Sequence, residues 1–307
     1  MSRVFSLCAL TVLGAILVGC GKKDDSESSG GSSSGSGSGG DGQVLLRART
    51  DDDKREAVAK LRRIGLALHS AHDAYQTFPA GVVGPKGQLG LSWRVALLPY
   101  LDELALYKEL KLDEPWDSEH NKKLLTKMPK VFEAPGTIVG NGKTYLRSFS
   151  GPQGFLSGPP AAPKGAPTFS PWAGQPPGSY GRGRQIVSIA DGTSNTLMVA
   201  EAAEPVEWTK PEDLPFSDQP GGPSGLLPKL GGLFEGGFHG LMCDGEVRFY
   251  SAALNEGKLR ALITVAGGEM IHFEPSEFQT PPRERPKRPT EDHAPARPTY
   301  GSPATRK

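Results

Sequence analysis

The stretch from Asp53 to Tyr75 constrains the fold of this chain more than any other segment. Val58, Leu61, Gly65, Leu68, His72 and Tyr75 recur at three- and four-residue spacing with Ile64 beside them, which places one apolar stripe along a helix. Lys60, Arg62 and Arg63 fall on the opposite side, toward solvent. A one-sided helix must lie on a partner surface. Asp53 followed by Glu56 reads as a capping pair at its start, and Pro79 with Gly81 ends the regular segment.

The partner surface is predicted from the strand signals further along. Val131–Glu133, Thr144–Phe149, Ile186–Ile189 and Thr196–Ala200 read as strands, and Phe238–Tyr250 reads as a hairpin closed by a two-residue Asp244-Gly245 turn. Met270–Phe273 reads as an edge strand. Further helices are predicted over Ser92–Leu110, despite Pro99, over Ser118–Met128, and around Leu259, Leu262, Ile263 and Ala266. Helices early and antiparallel strands late make an α+β domain, its N-terminal amphipathic helix packed on an antiparallel sheet. Long Pro- and Gly-rich insertions cover Gly151–Gly183 and Glu204–Gly232.

The ends of the chain differ from this body. An apolar run from Val4 to Val18 follows Arg3 and is shorter than the roughly 20 residues of a membrane-spanning helix, so residues 1–19 read as an export signal. Leu17-Val18-Gly19-Cys20 resembles the lipobox of bacterial lipoproteins, which implies cleavage before Cys20 and lipid attachment to its thiol. Residues 20–42 then form a Ser/Gly tether, 43–274 the domain, and 275–307 a Pro-rich basic tail expected to be disordered. The expected location is the cell envelope, membrane-anchored and facing the periplasm or exterior. Of the three cysteines, Cys8 and Cys20 belong to this leader, so Cys243 is the one left for the domain, and the fold must hold by its apolar core. Lys and Arg number 35 against 34 Asp and Glu, interleaved, which argues against a nucleic-acid partner.

Several motifs carry a family resemblance. Lys60 to His69 with His72, Tyr75 and Phe78-Pro79-Ala80-Gly81 opens the series. Ser92-Trp93-Arg94-Val95 with Leu98-Pro99-Tyr100-Leu101, Glu114-Pro115-Trp116-Asp117-Ser118 with His120-Asn121, Asp191 to Thr196, and Asp244 to Phe249 complete it. In order and spacing they resemble the planctomycete family of unknown function named DUF1559, whose members are similar to type II secretion pseudopilins. The resemblance implies a pilin-like α+β domain outside the cytoplasm. Such domains usually ride on a hydrophobic stem cut by a prepilin peptidase; that start is missing here, and the lipidated tether takes its place.

Candidate chemistry in the domain is sparse. Trp172, Trp208 and Tyr180 are candidates for an aromatic binding face in the insertions, and His239 with Asp244 lies along the late hairpin. Asp191, Asn195, Asp218 and Asp244 are weak candidates for calcium, without the regular alternation of an EF-hand loop. His69 and His72 share a helix face, yet no local Cys or carboxylate set completes a metal site. Ser194 and Cys243 are the candidate nucleophiles, and neither has a local base. The sequence therefore points to a noncatalytic envelope lipoprotein with a structural, adhesive or secretion-associated role, without cofactor beyond the lipid. Its partners are then the membrane and an envelope protein or polysaccharide. The alternatives are an exported small-molecule or glycan-binding protein and, behind it, a hydrolase.

Overall fold

The computed structural model describes residues 45–46, 49–156, 174–216 and 228–281, all in one compact unit. In chain order the elements are β1 (Leu45–Leu46), α1 (Asp51–Tyr75), β2 (Pro79–Val83), β3 (Leu89–Ser92), α2 (Trp93–Ala96), α3 (Leu104–Glu109) and α4 (Glu119–Lys123). There follow β4 (Thr137–Val139), β5 (Lys143–Arg147), β6 (Phe149–Ser150), β7 (Tyr180–Arg182), β8 (Leu197–Glu207), β9 (Leu214–Pro215), β10 (Gly237–Met242), β11 (Val247–Ser251), α5 (Glu256–Ile263) and β12 (Phe278–Gln279). The domain is α+β, as expected. The signal, the tether, Cys20 and residues 282–307 lie outside the described residues.

The centre is an antiparallel sheet of order β12-β11-β10-β8-β5. Because side chains alternate across a strand, β10 sends Leu241 to one face and Phe238 and Met242 to the other. On the first face Leu241, Val247 and Val199 pack with Val58, Leu61, Ile64 and Leu68 of α1. On the second, Phe238, Met242, Leu197 and Tyr250 pack with Leu262 and Ile263 of α5. A smaller sheet, β3-β2-β7, the antiparallel pair β1-β4 and the parallel pair β6-β9 surround this core. Among the described residues, no helix is long and apolar enough to cross a membrane.

Helix α1 begins two residues earlier than its periodicity predicts. Thr50, not Asp53, is the cap: its hydroxyl accepts from the Asp53 N–H, while the Asp53 carboxylate receives the Thr50 N–H at 2.7 Å. Asp53 is thus the N3 partner of Thr50 in a capping box. Lys60 is also not on the open side, because its ammonium reaches the Glu133 carbonyl at 3.0 Å. Midway, α1 closes tightly on the hairpin: a Cβ at Gly65 would stand 3.0 Å from Leu241 Cδ1.

The predicted helix over Ser92–Leu110 is broken into α2, a 3-10 turn at Leu98–Tyr100 and α3. Pro99 supplies no N–H to a continuous ladder, and Asp102 adopts a left-handed φ of 65° that no helix interior accepts. Ser118–Met128 likewise yields a short α4 and a 3-10 turn at Leu125–Lys127. Val131–Glu133 and Ile186–Ile189, predicted as strands, are 3-10 turns. Met270–Phe273 is not a strand; β12 takes the edge beside β11, so the fold runs past the expected boundary at 274.

Between these elements sits a buried charge. Arg94 of α2 is fully buried and donates from Nε and Nη2 to the Leu146 carbonyl at 3.0 and 2.6 Å, with its guanidinium over the Trp93 ring. Asp213 faces it at 3.9 Å and also accepts from Trp93 Nε1 and the Ser148 N–H, both at 3.1 Å. Burial pulls the Arg94 pKa down to about 10, against the opposing pull of Asp213. Removing Asp213 leaves a charge in the core without its counter-ion. Asp213→Ala is therefore expected to lower unfolding free energy by about 3 kcal/mol or more, read as a drop in urea midpoint; a loss below about 1 kcal/mol would mean that the pair does not organise this region.

Candidate functional site

The groove that stands out lies between the N-terminal half of α1 and the sheet. Asp51, Lys54, Arg55, Val58, Ala59 and Arg62 repeat at helical spacing along one wall, and His239, Phe249 and Gln279 come from β10, β11 and β12. The hairpin loop Asp244–Glu246 and the segment Thr280–Pro281 complete a volume of about 820 Å³, within the range of small-molecule sites. Arg62 ties the hairpin and C-terminal rims together, pairing with Glu246 at 3.5 Å and donating to the Pro281 carbonyl at 3.3 Å.

His239 is buried, 2% exposed, against the equally buried Glu201 of β8, 1% exposed. Its Nδ1 lies 3.1 and 3.2 Å from the two carboxylate oxygens, and its backbone N–H donates to Oε2 at 2.8 Å. Phe234 and Phe249 set their rings edgewise against the imidazole at 4.8 and 4.9 Å. The strands explain the carboxylate. The β10–β8 ladder runs through Gly240↔Ala200 and stops, because the Glu201 carbonyl accepts from Gly231 while the adjoining Ala202 bridges Leu230. Glu201 supplies by its side chain the acceptor that His239 N–H no longer finds on the neighbouring backbone.

The structure thus couples His239 to Glu201, a residue that the sequence reading passed over, and not to Asp244. The one local signal was a glutamate interrupting an apolar strand. Asp244 lines the same groove, but its Oδ1 accepts from the Glu246 N–H and shapes the hairpin loop. That loop corrects the expected two-residue turn. Gly245 alone is left-handed, at φ 85°, and its N–H returns to the Met242 carbonyl, so residues 243–245 form a three-residue loop.

The other candidates resolve into structural roles. Trp208, expected in an open loop, is fully buried: Nε1 donates to the Leu125 carbonyl at 3.1 Å and the ring stacks on Phe132. Tyr180 lies in β7, not in a loop; it stacks on Tyr75 at 3.9 Å and gives its hydroxyl proton to the Thr77 carbonyl, and burial pushes its phenol pKa far up. Asp191 is no open calcium ligand, because its carboxylate receives the N–H groups of Gly267 and Gly268 at 2.7 and 2.8 Å and faces the Thr264 hydroxyl. Asn195 donates to the Asp191 carbonyl at 3.0 Å. Among the described residues, no three His, Cys, Asp or Glu side chains converge on a metal site. Trp172 and Asp218 lie outside the described residues. Cys243 is buried, which drives its thiol pKa well up and makes it inert, and Ser194 is exposed on a turn, where among the described residues no base bonds to it.

His72 is a hydrogen-bond acceptor, not a ligand: its Nε2 takes the Ile186 N–H at 3.2 Å. Burial holds its pKa below the ordinary 6.5, opposed by Asp73 and aided by His69. As pH falls below that ordinary value the unfolded chain takes up the proton first, so this contribution to stability is present above pH 6.5 and is lost below it. Melting temperature should therefore fall between pH 8 and pH 5, and His72→Gln should make that fall shallower; an unchanged slope would remove His72 from the account.

The comparison with known families gives one match. Residues 57–226 match the family described as a protein of unknown function (DUF1559), covering the motifs from Lys60 to Asn195 and stopping short of the β10–β11 hairpin. No curated protein and no solved structure matches the chain.

Proposed function

The chain belongs to the DUF1559 family, and we propose that it is a membrane-anchored lipoprotein of the cell envelope whose domain has a noncatalytic structural, adhesive or secretion-associated role. The observation that carries the noncatalytic reading is where the motif side chains spend their polar atoms. Asp191 goes to Gly267 and Gly268, and Asn121 to the backbone of Lys111 and Pro115. Catalytic groups keep at least one atom for substrate. The His239–Glu201 pair has the carboxylate and imidazole of a general-base system, but among the described residues no hydroxyl or thiol bonds to His239. The anchor reading rests on residues 1–20 and the Ser/Gly tether that follows.

A second reading, an exported small-molecule or glycan-binding protein, is favoured by the groove of about 820 Å³ beneath α1. The two are compatible, since a tether that lifts a domain from the membrane serves either.

Expression of the full chain in a bacterial host tests the anchor. Cys20→Ser is expected to abolish acylation and normal processing, seen by mass spectrometry of the N-terminus, and to leave the domain's melting temperature unchanged. Continued acylation and cleavage at this site in the variant would refute the proposal.

A further inference from the structure

We propose that the groove beneath α1 binds a neutral hydroxyl compound with an apolar body, an alcohol or phenol whose O–H donates to Nε2 of His239 while its body lies on Val58, Ala59 and Phe249. This deepens the binding-protein reading and is independent of the lipid anchor.

The carboxylate of Glu201 fixes which ring nitrogen carries the proton. Its two oxygens lie 3.2 and 3.1 Å from Nδ1. A carboxylate accepts and does not donate, so the proton of the neutral imidazole sits on Nδ1 and Nε2 keeps its lone pair. Glu201 itself is accounted for by the backbone N–H of His239, which would be there with any side chain. A Phe or Leu at 239 would fill a position edged by Phe234 and Phe249 without placing a second polar group in the core. What the histidine adds is an acceptor. The residue is 2% exposed and lines the groove, and Nε2 forms no hydrogen bond among the described residues. Held by Glu201 and two phenyl rings, that acceptor needs no reorganisation when a donor arrives.

The charge pattern argues against an ionic ligand. Asp51, Asp244 and Glu246 line the groove together with Lys54, Arg55 and Arg62, so neither sign is in excess. Each cation already stands beside a carboxylate: Lys54 pairs with Asp51 at 3.3 Å, Arg55 with Asp52, and Arg62 with Glu246 at 3.5 Å. An entering acid would meet a lone pair at Nε2. An amine could donate there, but its ammonium would have to leave water beside Val58 and Phe249. Shedding hydration costs a charged group far more than a hydroxyl. A neutral O–H gives Nε2 the one proton it lacks and brings no charge to a groove that is already balanced.

Four ligands of one shape separate the alternatives: 2-phenylethanol, its methyl ether, phenylacetate and 2-phenylethylamine, titrated onto the full chain and followed by ligand-observed NMR. The alcohol is expected to bind about fivefold more tightly than the ether, the worth of one neutral hydrogen bond, with acid and amine both weaker than the alcohol. The ether keeps the oxygen and the apolar body, so the difference reads the donated proton. His239→Phe should bring the alcohol to the level of the ether; a preference that persists in the folded variant would overturn the role of Nε2. Ala59→Trp, a change at an exposed helix position that fills the groove from the opposite wall, should abolish binding without touching His239, so the test survives a His239→Phe variant that fails to fold. Ether binding as tight as that of the alcohol, or preference for the acid or the amine, would overturn the hydroxyl ligand and leave a binding groove standing. Alcohol binding undiminished by Ala59→Trp would overturn the site, and binding of none of the four would overturn both the proposal and the binding-protein reading.

Discussion

The buried guanidinium of Arg94 is the constraint on which much of this fold depends. A charge taken fully out of water is costly unless its donors are met, and meeting them draws together parts of the chain that are far apart in sequence. The Leu146 carbonyl of β5 takes two of its N–H groups, and Asp213 stands opposite while also holding Trp93 and Ser148. Just before it, Ser92 donates its hydroxyl proton to the Trp208 carbonyl at 2.7 Å. Three consecutive residues, Ser92 to Arg94, thus lock the small sheet to the edge of the large one. The segment after β8 is held in the same lock.

The same economy recurs in the other motifs. Asn121 is fully buried and closes the turn at Lys111–Pro115 from both sides, accepting at Oδ1 and donating at Nδ2. Asp191 staples the turn before β8 to the loop after α5, and Asp244 shapes the hairpin. These are the short polar side chains that stand in for backbone partners where regular structure ends. Against that background the His239–Glu201 pair is unlike the rest. Its backbone share is conventional, and its imidazole is not required by any chain reversal.

What could be read locally was read well where one local rule dominated. The stripe of α1 follows from side-chain period alone, and the antiparallel strands on either side of Asp244-Gly245 follow from a turn between two apolar runs. Where two rules competed, the reading failed. Val131–Glu133 and Ile186–Ile189 are short and apolar enough for strands, yet their hydrogen bonds go elsewhere: Phe132 gives its carbonyl to the Thr144 hydroxyl, and Ile186 gives its N–H to His72. Trp208 looked like a loop residue because Pro205 and Pro211 flank it in a polar stretch, and it is core because β8 extends to Glu207 and delivers it against Phe132.

The sequence by itself determined the α+β class, the one-sided first helix, the late hairpin and the family to which the chain belongs, because each rests on residues within a few positions of one another. Only the tertiary structure decided where a site could be. Glu201 and His239 are 38 residues apart, and they meet because β8 leaves β10 just where the Lys229–Gly231 segment pairs with it instead. The groove arises in the same way: α1 touches the hairpin at Gly65, and a space remains between its N-terminal half and the sheet. No local pattern encodes that space, since it is set by how closely two separately stable elements approach.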